Sequence, residues 1–109
     1  MDKKQQVEKL TNYMANFVDY IGKVLPDDII AKLDELAEKE DSPLSKVIYQ
    51  TMKKNQGLAK ELNRPSCQDT GVLQFWVKCG TNFPLIGELE ALLKEAVVKA
   101  TFQAPLRHN

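Results

Sequence analysis

The run Arg64-Pro65-Ser66-Cys67-Gln68-Asp69-Thr70-Gly71 divides the chain and limits what either side of it can become. From Cys67 to Gly71 it places a thiol, an amide, a carboxylate, a hydroxyl and a glycine side by side. Cys, Asp and Thr rank low in helix propensity, and Gly costs about 1 kcal/mol relative to Ala. Pro65 also biases Arg64 away from the α region, so a helix should end there. The expected geometry is helix, turn, strand. The short polar groups then fall on the turn, where a scaffold can aim them at a ligand.

Upstream of the run, the apolar residues recur at helical spacing. Val7, Leu10, Met14, Phe17, Val18 and Ile21 form one stripe over about residues 4–24. Gly22 and Pro26 close it. Pro26-Asp27-Asp28 opens a second helix, because proline suits the first turn and early acids favour the positive end of the helix dipole. Its apolar face is Ile29, Ile30, Leu33, Leu36 and Ala37. Ser42-Pro43 restarts the chain as N-cap and first helical residue. The third helix carries Leu44, Val47, Ile48, Thr51, Met52, Leu58, Ala59 and Leu62 on one side, with Gly57 inside the pattern as a weak point in its continuity.

Downstream, the period changes to two. Leu73, Phe75, Val77 and Cys79 fall on one face of an expected strand, and Gln74, Trp76 and Lys78 on the other. This register puts Cys79 in the core as a small hydrophobe. Gly80 to Pro84 reads as a turn. A fourth helix follows from about Leu85, with Leu89, Leu92, Leu93, Ala96, Val97 and Ala100 as its stripe. The fold class expected is α+β, helix-rich, with about four amphipathic helices and one strand. A single strand cannot satisfy its own backbone groups. The expectation is therefore a chain that is part of a larger domain, or one paired with another chain.

Composition narrows the functions. Lys plus Arg and Asp plus Glu number 15 each, so no charge excess argues for nucleic acid or an anionic membrane surface. No apolar run approaches the roughly 20 residues that span a bilayer, and the start of the chain is amphipathic rather than signal-like. The expected location is the cytoplasm. Two cysteines and one histidine cannot make a closed zinc site. The central run can be read as an ordinary loop, with Asp69 and Thr70 as turn formers and Gly71 at positive φ. It can also be read as a site. Cys67 would then be a nucleophile, for which no base stands nearby in sequence, or a metal ligand, since thiolates hold iron–sulfur clusters and one segment can supply a single cysteine.

The central run, followed by Phe75-Trp76-Val77-Lys78 and by Ala104-Pro105-Leu106-Arg107-His108-Asn109, resembles the iron–sulfur hydro-lyases. That family takes in the class I fumarases and the L(+)-tartrate dehydratases. The helical segment leading into Leu25-Pro26-Asp27-Asp28 is similar to the α subunit of the two-subunit members, and the resemblance covers nearly the whole chain. It implies an oxygen-sensitive [4Fe–4S] cluster held by three cysteines, of which Cys67 is one and the others are absent from this chain. It implies that Gln68 and Asp69 contact a dicarboxylate substrate, that Asp69 takes a catalytic part at the leaving hydroxyl, and that Arg107 binds a substrate carboxylate. Cys79 falls outside the ligand pattern.

The reaction implied is dehydration of a 2-hydroxy dicarboxylate, with L(+)-tartrate going to oxaloacetate. The alternative substrates are malate and fumarate. The partners implied are that substrate and a β subunit, with neither nucleic acid nor membrane. Residues 1–109 are expected to be the N-terminal part of an α-type catalytic domain, inactive alone, whose uncovered stripes favour homo-oligomers. A non-catalytic helical module that binds a partner is the competing class.

Overall fold

The computed structural model describes residues 1–66 and 72–105. In order, the elements are α1 (Lys3–Lys23), α2 (Asp27–Lys39), α3 (Pro43–Leu62), a short 3-10 helix (Ile86–Glu88) and α4 (Leu89–Gln103). The residues form two compact units, Met1–Asp19 with Gln68–Asn109, and Tyr20–Cys67. Helix α1 contributes to both.

The expected α+β class is overturned: the described residues are helical and contain no strand. Residues 72–80 keep their alternation but form no ladder, and no backbone–backbone hydrogen bond among the described residues involves 72–79. Period-two sequence becomes a strand only where a neighbour supplies the other half of each hydrogen bond. The core register assigned to Cys79 fails with it. Cys79 is exposed, Trp76 is 90% exposed, and Leu73 and Val77 also face solvent.

In the first unit, burial is concentrated on small residues. Thr11, Ala15 and Val18 of α1 are buried, and so are Leu92, Ala96, Ala100 and Ala104 along α4. Of the expected α1 stripe, Val18 is buried and Val7, Leu10 and Met14 are half-buried, while Phe17 and Ile21 are exposed. Side chains bridge the two helices. Lys99 Nζ donates to Asn12 Oδ1 at 3.0 Å. Gln103 Nε2 donates to Asn16 Oδ1 and Asp19 Oδ2, both at 2.8 Å. Lys3 pairs with Glu88 at 2.6 Å. The partners rise together along both helices, so α1 and α4 run parallel, which the long intervening chain permits.

In the second unit, α2 and α3 pack against each other. Asp27 and Asp28 occupy the first turn of α2, and Asp28 Oδ1 accepts the Ile29 N–H. Helix α3 begins as its sequence suggests, at Ser42-Pro43, although the Ser42 side chain makes no capping bond. Gly57 does not interrupt it.

Helix α3 ends on Asn63, which sits in the left-handed region at φ 57 and ψ 48. Its Oδ1 accepts a hydrogen bond from Lys23 Nζ at 2.8 Å, and Lys23 is only 6% exposed. Asparagine tolerates this backbone better than other residues with a Cβ. Replacing Asn63 with alanine is expected to strain the backbone and also remove an acceptor from a buried ammonium, a loss of about 1–3 kcal/mol. Asn63→Gly should lose less, because only the acceptor goes. Urea unfolding of the two variants checks this ordering, and equal stability of Asn63→Ala with the parent refutes it.

Candidate functional site

Cys67, Gln68, Asp69 and Arg107 all lie outside the described residues. The structure does describe the chain that leads to each, and in both cases that chain is anchored.

The approach to Cys67 belongs to the Tyr20–Cys67 unit. After Leu62 the left-handed Asn63 turns the chain back along α3. The Arg64 N–H donates to the Ala59 carbonyl at 2.9 Å, closing the helix end. The Ser66 N–H donates to the Gly22 carbonyl at 2.8 Å, a free acceptor because Gly22 lies in the last turn of α1. The Ser66 carbonyl accepts from Asn55 Nδ2 at 2.5 Å. Asn55 and Leu62 are seven residues apart, two turns of one helix face, which is why the returning chain meets the Asn55 amide. The Lys23–Asn63 bond adds a further tie between α1 and this turn.

The approach to Arg107 belongs to the other unit. Ala104 continues the last turn of α4, donating its N–H to the Ala100 carbonyl at 2.8 Å, and it is fully inaccessible to solvent. One turn before it, Gln103 holds the end of α4 to Asn16 and Asp19. The helix end that delivers Pro105 and then Arg107 is thereby tied down on one side.

Among the described residues, no three His, Cys, Asp or Glu side chains gather as a metal site. Neither is any described helix long and apolar enough to cross a membrane. A groove of about 390 Å³ between α2 and α3 is lined by Ile30, Leu33, Ala37, Tyr49 and Met52, with Asp34 and Lys53 paired across it at 3.5 Å. None of the expected site residues lines it. Sequence reasoning did not single out Asn55, Lys23 or Asn63. Of these only Asn63 carries a local signal, an asparagine just past a helical pattern and ahead of Arg-Pro.

The family model described as fumarate hydratase (fumerase) matches residues 11–109, and the chain belongs to this family. Among its relatives, the L(+)-tartrate dehydratase subunit α of Escherichia coli is 52% identical over 108 residues, 99% of this chain and 36% of that protein. The subunit of the same name from Shigella sonnei matches equally. A protein of Methanocaldococcus jannaschii is 38% identical over 87 residues, 78% of this chain and 30% of its own length. The chain therefore spans about a third of the length of the curated relatives it matches.

Proposed function

We propose that this chain is the part of a hydro-lyase α subunit that carries Cys67, Gln68, Asp69 and Arg107, and that the complete enzyme dehydrates L(+)-tartrate to oxaloacetate. The observation that carries the reading is 52% identity over 99% of the chain to L(+)-tartrate dehydratase α subunits, through both sequence runs that hold these residues.

A [4Fe–4S] cluster fits the donor chemistry in part. The Cys67 thiolate is the right kind of ligand, and it is one ligand where three are needed. Bound there, the cluster would supply a Lewis-acid iron that weakens the bond to the departing hydroxyl. The chain's own residues have other tasks. Arg107 offers a planar fork of N–H donors to one substrate carboxylate, fixing orientation as well as charge. Gln68 donates its amide N–H to a polar oxygen of the substrate. Asp69 holds or delivers a proton at the leaving hydroxyl, so that the oxygen departs as water. The proton next to a carboxylate is taken by a base outside these residues. The elimination then leaves an enol that becomes oxaloacetate, so the balance is one tartrate to one oxaloacetate and one water. A β subunit supplying the remaining contacts completes the reading.

The test is anaerobic reconstitution of the complete α-type polypeptide with its β partner, with iron and sulfide counted and oxaloacetate measured. Iron uptake with turnover of L(+)-tartrate above malate is expected, and Cys67→Ser should abolish the uptake. Absence of iron, or uptake that survives Cys67→Ser, refutes the reading, and preference for malate moves the substrate to the fumarase side. The 109-residue chain alone is expected to turn over neither.

A further inference from the structure

We propose that the grooved face of the α2–α3 pair is an interface between two copies of this chain, joined about a two-fold axis that runs along the helices. The pair leaves an apolar face open. Among the described residues, none of α2 is buried, and Ala59 alone is buried in α3. Ile30, Leu33, Ala37 and Tyr49 line the groove and are only half-buried, and Met52 beside them is exposed. Two amphipathic helices do not close a core by themselves. A second layer covers the faces they leave open.

Charge selects the layer that fits. Helix α2 carries five acids against two lysines, a net of −3. Helix α3 carries four lysines against one acid, a net of +3. The division holds at the groove, with Asp34 and Glu38 on the α2 wall and Lys53 on the α3 wall. The short connection, residues 40–42, makes the two helices antiparallel neighbours. Asp34 and Lys53 meet at 3.5 Å, so their charges lie at one level along the pair. A two-fold along the helices keeps that level and exchanges left for right. It sets each α2 antiparallel on the partner copy's α3, and each Lys53 against the other copy's Asp34. A two-fold across the helices would instead set α2 on α2 and α3 on α3, like charge on like. The apolar floor drives the association, and the ring of four alternating charges fixes its register. Closure about a two-fold stops the assembly at two copies.

The test is sedimentation equilibrium of the 109-residue chain and of the complete α-type polypeptide, each with two charge reversals. The parent is expected to be a dimer. Asp34→Lys alone gathers four lysines at the ring, and Lys53→Glu alone gathers four acids. Each is expected to weaken self-association about ten-fold or more. An equimolar mixture of the two variants restores opposite charges across the interface, and its association should return to within about three-fold of the parent. Both side chains are largely exposed, so neither reversal removes a core contact. Recovery on mixing is a result that misfolded chains do not give. Lys60→Glu, away from the groove, is the control and should associate as the parent does. A monomeric parent overturns the proposal and leaves the face to a β subunit or another chain. So does a dimer that neither reversal weakens, or a pair of variants whose mixture stays apart. Reversals that act in the 109-residue chain and not in the complete polypeptide overturn it as well, because the rest of that polypeptide then covers the face. None of these results bears on Cys67 or Arg107.

Discussion

If the proposed function holds, replacing Arg107 with glutamine is expected to lower kcat/KM of the complete enzyme for L(+)-tartrate by about 10²–10³-fold. The reasoning is electrostatic and geometric. An arginine and a carboxylate make two parallel charge-assisted hydrogen bonds, each stronger than a neutral one. Removing one partner of such a pair in a water-poor site leaves the other charge unpaired, a penalty of about 2–5 kcal/mol. Glutamine keeps polarity and some length but offers no charge and no fork. Arg107→Lys should fall between, since it keeps the charge and loses the planar geometry. Steady-state kinetics of the three proteins checks the order. A monomethyl ester of tartrate sharpens the test: if Arg107 pairs with the esterified carboxylate, the penalty for Arg107→Gln shrinks on that substrate. Iron content should stay at the parent level in both variants. Parent-level kinetics in Arg107→Gln would remove Arg107 from the site, and loss of iron would assign it to support of the fold instead.

The helices were legible in the sequence because each has its own punctuation. Pro26-Asp27-Asp28 and Ser42-Pro43 start α2 and α3 where the pattern says they should, and α3 stops before Arg64-Pro65. These signals are local, so they need no partner to act. What failed was non-local. The alternation through Leu73, Phe75, Val77 and Cys79 states a preference that only a second strand can satisfy, and the described residues contain none. The α1 stripe holds for Val7, Leu10, Met14 and Val18, which are half-buried or buried, and errs at Phe17 and Ile21, which are exposed while Thr11 and Ala15 are buried. Close packing against α4 selects small side chains, and hydrophobic periodicity gives small residues little weight.

The candidate site divides in the same way. Cys67, Gln68, Asp69 and Arg107 could be named from two short runs, because a motif is contiguous. The ties on the described chain that leads to Cys67 could not, because Gly22 and Ser66, Asn55 and Ser66, and Lys23 and Asn63 are pairs joined only by folding. Asn55 illustrates the limit. In sequence it is one polar residue on a mostly polar helix, and its use appears only when the chain returns past Asn63.

Ala100→Leu is expected to lower the melting temperature of this chain by about 10 °C or more, the largest stability effect expected of any single change here. Ala96, Ala100 and Ala104 are all fully inaccessible and stand four residues apart, one ridge on α4. The hydrogen bonds from Lys99 and Gln103 to Asn12, Asn16 and Asp19 flank that ridge and set the spacing between α4 and α1. Three added carbons at position 100 must push the helices apart or force strained rotamers, at about 1–3 kcal/mol. Displacement also stretches the Gln103 contacts, each worth about 1 kcal/mol net. Helix propensity cannot account for such a loss, because leucine ranks close behind alanine. Val98→Leu is the control. Position 98 is on the same helix and exposed, so its change should stay within about 0.5 kcal/mol. Thermal melts followed by far-ultraviolet circular dichroism decide between the two. If Ala100→Leu melts with the parent, the alanine ridge has room to spare and the parallel α1–α4 pair is not closely packed. If it melts early while Val98→Leu does not, the small residues set the helix spacing. The anchor that Gln103 gives to the approach of Arg107 then depends on that spacing too.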